Sequence, residues 1–134
     1  MKLPKNALVA VADGETLRLF RNGGDGASPS LTALPDAAVS TTNKGSGGRH
    51  QSSSANPSDS QQDEDGFAAG IATLLNKQVL DGKIDDLIVI AAPRTLGELR
   101  KHYHKTLEAK LAGEIAKDLT GHDIASIEQA IASA

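Results

Sequence analysis

At 134 residues the chain has the size of one domain with one core, and it contains no cysteine, which excludes disulfide stapling and thiolate-held zinc or iron–sulfur centres. A net charge of -3 gives no general attraction to nucleic acid, so any such contact needs a local patch. The aromatic residues, Phe20, Phe67 and Tyr103, are too few to build a stacking platform for single-stranded bases.

The N-terminal apolar run is interrupted at Asp13, too early for a signal-peptide core. No stretch approaches the ~18 apolar residues of a membrane span. A soluble, cytoplasmic domain is expected.

Ala7-Leu8-Val9-Ala10-Val11-Ala12 is apolar without a break. Side chains alternate between the faces of a strand, so such a run predicts a strand covered on both sides. Asp13-Gly14 marks a tight turn. Thr16 to Arg21 then alternates through Leu17 and Leu19 with polar neighbours, predicting a half-exposed strand antiparallel to the first. Asn22 to Ser30 is a turn cluster, and Ser30 to Leu34 can supply a short third strand closed by Pro35.

Residues 36–62 are dense in Ser, Thr, Gly, Asn and Gln, with Val39 as the only large apolar residue. Such a segment buries too little surface to offset its ordering entropy, and a flexible loop is expected. A helix follows over Asp63 to Leu80, with Asp63, Glu64 and Asp65 at its positive end. Phe67, Ile71, Leu74 and Leu75 form its apolar stripe, and Gly82 suits a left-handed stop.

Leu87 to Ala92 is the second unbroken apolar run, and Pro93 ends it. Thr95 and Glu98 have the spacing of a capping box for the next helix, in which Leu96, Leu99, Tyr103 and Leu107 share a face. Beyond Glu108 either the helix continues through Ile115 or Leu111 to Lys117 forms a short strand. Asp123 can cap a last helix with Ile124, Ile127 and Ile131 inward. With right-handed crossovers this becomes an α/β domain with a five-stranded mixed sheet, order 3-2-1-4-5, flanked by helices. That is a ribonuclease H-like topology.

A nuclease of that topology needs paired carboxylates on two metal ions. Asp13 and Glu64 are suitably placed, but the central strand ends in Ala91-Ala92-Pro93 where a ligand is required, and Asp85 and Asp86 lie at its other end. The expectation is a turn role for Asp13 and a helix-dipole role for Glu64, with no metal and no cofactor. Gly45, Gly47 and Gly48 lack the leading strand and the Lys-Ser/Thr pair of a phosphate loop. What remains there is Lys44, Arg49, His50 and Gln51, a cluster able to meet a phosphate. The second helix is locally basic through Arg94, Arg100, Lys101, Lys105 and Lys110, a minority candidate for an anionic partner. His102 and His104 are two apart and diverge on a helix, which argues against a shared metal.

Four stretches carry a family resemblance: Leu8-Val9-Ala10-Val11-Ala12-Asp13-Gly14; Gly47-Gly48-Arg49-His50; Ala91-Ala92-Pro93-Arg94-Thr95-Leu96-Gly97-Glu98-Leu99-Arg100; and Glu114-Ile115-Ala116-Lys117-Asp118-Leu119-Thr120. With these the chain resembles the bacterial host attachment proteins, which are similar to the middle domain of archaeal and eukaryotic peptide-chain release factors. The resemblance implies a strand over the fourth stretch. It also implies that Gly47, Gly48 and Gln51 stand where release factors carry a Gly-Gly-Gln loop, here interrupted by Arg49 and His50. In release factors that loop enters the peptidyl-transferase centre and promotes hydrolysis of peptidyl-tRNA.

The function expected from this is RNA or ribosome binding through residues 44–51 together with Arg94, the partner being the ribosome or tRNA. An alternative is a peptidyl-tRNA hydrolase or ribosome-rescue factor in which His50 or Gln51 positions water. Surface adhesion is the third reading.

Overall fold

The two unbroken apolar runs become adjacent parallel strands at the centre of the sheet. The computed structural model describes residues 3–24, 28–35, 39 and 59–134. Its strands are β1 (Leu8–Ala12), β2 (Leu17–Asn22), β3 (Leu31–Ala33), β4 (Leu87–Ala91) and β5 (Leu111–Ala116). Its helices among the described residues are α1 (Asp59–Leu80), α2 (Pro93–Arg100), α3 (Lys105–Lys110) and α4 (Ile124–Ser133). The strand order is β3-β2-β1-β4-β5, as expected. β1 pairs antiparallel with β2 and parallel with β4, in register from Leu8↔Leu87 to Ala12↔Ala91. β5 adds parallel to β4, and β3 antiparallel to β2. This single α/β domain is compatible with a ribonuclease H-like topology.

Both faces of the central strands are covered. Leu8, Ala10, Leu87 and Val89 pack with Ile71 and Leu75 of α1, Leu96 and Leu99 of α2 and Leu107 of α3. Val9, Val11, Ile88 and Ile90 pack on the other face with Phe20, Ile115 and with Ile127 and Ile131 of α4. Every residue of β1 and β4 is buried. Each large side chain removed from water there contributes roughly 1.5–3 kcal/mol before the entropy of ordering is subtracted.

Local signals set several boundaries. Gly82 has φ +77 and closes α1 in a Schellman motif: its N–H donates to the Val79 carbonyl at 3.1 Å, and the Lys83 N–H to the Gln78 carbonyl at 2.9 Å. Asp123 caps α4, its side chain accepting from the Ser126 N–H. Residues 111–116 form the strand alternative, not a continued helix.

Other expectations are corrected. α1 starts at Asp59, four residues before Asp63, since Gln61 and Gln62 are sound helix formers and no Gly or Pro intervenes. Thr95 is not the cap of α2. Ala92 occupies that position with φ -58 and ψ 152, no side chain caps the helix, and Pro93 opens it. Proline pushes the residue before it to extended geometry and is itself pre-set for the first helical position, so it wins over Thr95. Glu98 turns instead to Lys101 and His102. The helix carrying Leu96, Leu99, Tyr103 and Leu107 is broken at 101–104, although Tyr103 and Leu107 still join the same core cluster. β2 is less exposed than its alternation predicts, because Phe20 is fully buried on the α4 face with the Arg18 guanidinium 4.9 Å from its ring centre.

Among the described residues two buried polar side chains stand out, Asn22 and Asn76. The Asn22 amide donates to the carbonyls of Leu3 and Pro4, while its oxygen accepts from the N–H groups of Gly24 and Ser30, all between 2.9 and 3.0 Å. It thereby ties the N-terminal segment to the start of β3.

Candidate functional site

In an open sheet with parallel strands, ligands tend to sit outside the carboxyl ends of those strands, where the connections diverge. Here that edge is formed by Asp13 after β1, Ala92 to Thr95 after β4 and Lys117 to Thr120 after β5. β3 runs in the same direction as β1, being antiparallel to β2, so Leu34 and Pro35 also leave the sheet at this edge. α1 begins here as well: Glu64 packs against Gly14, where an added Cβ would come within 2.6 Å of the Glu64 Cγ. The described flanks of residues 36–58 therefore stand on one edge of the sheet. Val39 packs against the core cluster on the α1 face.

Asp13 is held firmly. One carboxylate oxygen accepts from the N–H groups of Glu15 at 2.7 Å and Thr16 at 2.6 Å, the turn role expected of it. The other lies 2.9 Å from the Thr120 hydroxyl, which is also 2.9 Å from an oxygen of Asp118. One hydroxyl proton thus serves two carboxylates from the ends of β1 and β5. Arg18 closes the arrangement, donating to the carbonyls of Thr120 at 3.0 Å and His122 at 2.8 Å. Among the described residues, no group of three or more His, Cys, Asp or Glu is disposed to hold a metal ion.

Arg94 is exposed in the first turn of α2 and has no hydrogen bond or ion pair among the described residues. It is the one expected binding residue that is described. Lys44, Gly47, Gly48, Arg49, His50 and Gln51 lie outside the described residues. The described part of the edge mixes Arg94 and Lys117 with Asp13, Glu64 and Asp118, so it is not a basic surface. The basic run of α2 and α3 is likewise divided. Arg100 donates to Glu114 at 2.7 Å, Lys101 to Glu98 at 3.0 Å, and His102 Nε2 is 3.4 Å from Glu98. The Lys101 hydrogen bond holds the Glu98 carboxyl below its usual range; burial opposes it, and the His102 hydrogen bond adds to the lowering.

His102 and His104 are not two positions of one helix. The chain leaves helical geometry between α2 and α3, and both residues line one groove against the C-terminal half of α1. Asn76 makes this link, donating to the His102 carbonyl at 2.9 Å and accepting from the His104 N–H at 3.0 Å. Nothing in the composition near His102 announces the break, which contains neither Gly nor Pro. Arg18, Asn76 and Thr120 were equally invisible as partners, because their contacts are with residues distant along the chain.

A twisted mixed sheet with helices on both faces, and connections converging at the carboxyl ends of its parallel strands, defines a single-domain α/β protein. The chain belongs to the bacterial archaeo-eukaryotic release factor family 12, whose family model matches residues 6–131. This agrees with the release-factor likeness of the four sequence stretches; it carries no statement about attachment to host cells. No curated protein matches the chain. No helix among the described residues is long and apolar enough to cross a membrane.

Proposed function

We propose that the protein binds RNA at the ribosome, in the cytoplasm, with Lys44, Gly47, Gly48, Arg49, His50, Gln51 and Arg94 meeting a phosphate or the end of a peptidyl-tRNA. The observation that carries this reading is the shared edge: the described flanks of residues 36–58 and the unpaired Arg94 all stand at the carboxyl ends of the strands. Membership of a release-factor family supports it. Since the described part of the edge is mixed in charge, attraction to a polyanion rests on positions 44, 49 and 50 acting with Arg94.

Cosedimentation with ribosomal subunits at low and moderate salt tests the reading. Pelleting should be salt-sensitive, and Arg49→Ala/His50→Ala should weaken it and lower the slope of log affinity against log salt by roughly one for each lost phosphate contact. Unchanged pelleting of that variant refutes the assignment of residues 44–51. Family membership also motivates a hydrolytic reading. Substoichiometric release of peptide from peptidyl-tRNA, abolished by Gln51→Ala or His50→Ala, would make the protein an enzyme and not a stoichiometric binder.

A further inference from the structure

Asn22 ends β2 and is followed by Gly23. In an Asn-Gly pair the backbone nitrogen of the glycine can attack the side-chain carbonyl carbon of the asparagine, and glycine hinders this closure least because it has no Cβ. The new C–N bond closes a succinimide ring, and the amide NH2 leaves as ammonia with the proton of the glycine nitrogen. Water then opens the ring at either carbonyl, its OH ending on the new carboxyl and its hydrogen on the freed nitrogen. The product is aspartate or isoaspartate, and nothing is oxidised or reduced.

Every group in that reaction is engaged in the folded chain. The attacking nitrogen, the Gly23 N–H, donates to the Ser30 carbonyl at 2.8 Å. The leaving NH2, with its two hydrogens, serves the Leu3 and Pro4 carbonyls, each at 3.0 Å. The amide oxygen accepts from the Gly24 and Ser30 N–H groups, each at 2.9 Å. The backbone of Asn22 is fixed as well, donating to the Ala7 carbonyl at 2.9 Å and accepting from the Asn6 N–H at 2.7 Å. Asn22 is fully buried, and so is Leu3, which anchors residues 3–7 in the core cluster on the α4 face. Ring closure therefore requires residues 3–7 to lift away and the Gly23–Ser30 bond to open.

We propose that Asn22 is a modification site: it deamidates through a succinimide formed with Gly23, residues 3–7 hold it closed, and its conversion releases them for good. The product cannot take the old place. A carboxylate has no hydrogen to donate, so it would face the Leu3 and Pro4 carbonyls in a site that excludes water. Isoaspartate also lengthens the backbone between positions 22 and 23 by one carbon, which displaces Gly23 from Ser30. Each opening of this margin thus carries a chance of a covalent step that prevents its closing.

Incubation of the full chain in mildly alkaline buffer, with the peptide containing position 22 quantified by mass and by isoaspartate content, tests the proposal. Conversion should be at least tenfold slower in the native chain than in the urea-unfolded chain. A Cβ at Gly23 would come no closer than 3.7 Å to the Ser30 carbonyl oxygen, so Gly23→Ala fits the fold, and it should slow conversion of the unfolded chain at least tenfold. Leu3→Ala should loosen residues 3–7 and speed native conversion at least threefold, with the unfolded rate unchanged. Urea below the global transition should do the same to the unsubstituted chain, which keeps the test independent of how well the Leu3 variant folds. The converted chain, resolved by its extra negative charge, should exchange the Gly24 and Ser30 amides faster, with β1 and β4 unchanged. Equal rates in native and unfolded chains, native conversion unmoved by both Leu3→Ala and low urea, or a converted chain with unchanged exchange would each overturn the proposal.

Discussion

β1 and β4 are ordered by apolar burial on two faces, whereas the N-terminal segment and the α2–α3 link at the margins are each held by the side chain of one buried asparagine. The difference is one of redundancy. In the centre many contacts share the work, and deleting one leaves neighbours able to relax partly into the space. At the margins a single amide meets four backbone groups in one case and two in the other, and its removal takes a partner from each, the Pro4 carbonyl alone keeping another in the Ala7 N–H. The centre should therefore fail globally and the margins locally.

The largest effect is expected in the centre. Ile90 is fully buried against the α4 face, and Ile90→Ala should cost roughly 2–5 kcal/mol of unfolding free energy, measured by urea denaturation. Amide exchange should accelerate throughout the slowly exchanging core, since the loss falls on the cooperative unit.

Asn22→Leu comes next, at roughly 2–4 kcal/mol, because it strands the Leu3 carbonyl and the N–H groups of Gly24 and Ser30, while the Pro4 carbonyl keeps only the Ala7 N–H. Exchange should rise first around Gly24 and Ser30. A loss equal to that of an exposed-site substitution would show that the amide is not what holds this margin.

Asn76→Leu removes two bonds and should cost roughly 1–3 kcal/mol. Its signature is local: faster exchange at residues 102–104 with β1 and β4 unchanged. Global loosening after this substitution would erase the proposed contrast between centre and margin.

The smallest effect is a matter of pH. Burial, and then the Glu114 carboxylate, push the Tyr103 phenol above its usual range, with Arg100 opposing. The folded state therefore holds this proton more tightly than the unfolded chain does. The associated stability is complete below about pH 10, the ordinary phenol value, and is lost as pH rises towards the higher folded value. Tyr103→Phe should flatten the alkaline fall in stability. Near neutral pH it should be close to neutral or slightly stabilising, since the buried Tyr103 hydroxyl has no hydrogen-bond partner among the described residues. An unchanged alkaline profile would remove Tyr103 from the account.

Much of the architecture was legible along the chain because it depends on residues close together in sequence. The double cover of β1 and β4 follows from unbroken apolar runs, the end of α1 from Gly82, and the start of α4 from Asp123. Where two local signals competed, at Pro93 and Thr95, the weaker one misled. A cap contributes about 1 kcal/mol, whereas the proline ring constrains its own backbone and that of its predecessor sterically. The site was legible in part: Asp13 showed its turn role, but its tie to Thr120 spans 107 positions and has no local trace.

The α2–α3 link shows most clearly where local pattern ends. Periodicity continues helically from Leu96 through Leu107, and nothing between Lys101 and His104 opposes it. The chain departs from the helix there and is held by the amide of Asn76, 26 and 28 positions earlier, which brings two histidines to one groove. Periodicity can reveal which residues face the core, because burial is written into their polarity. It cannot reveal which distant polar group will hold a backbone bond, because that depends on how α1 packs beside α2 and α3.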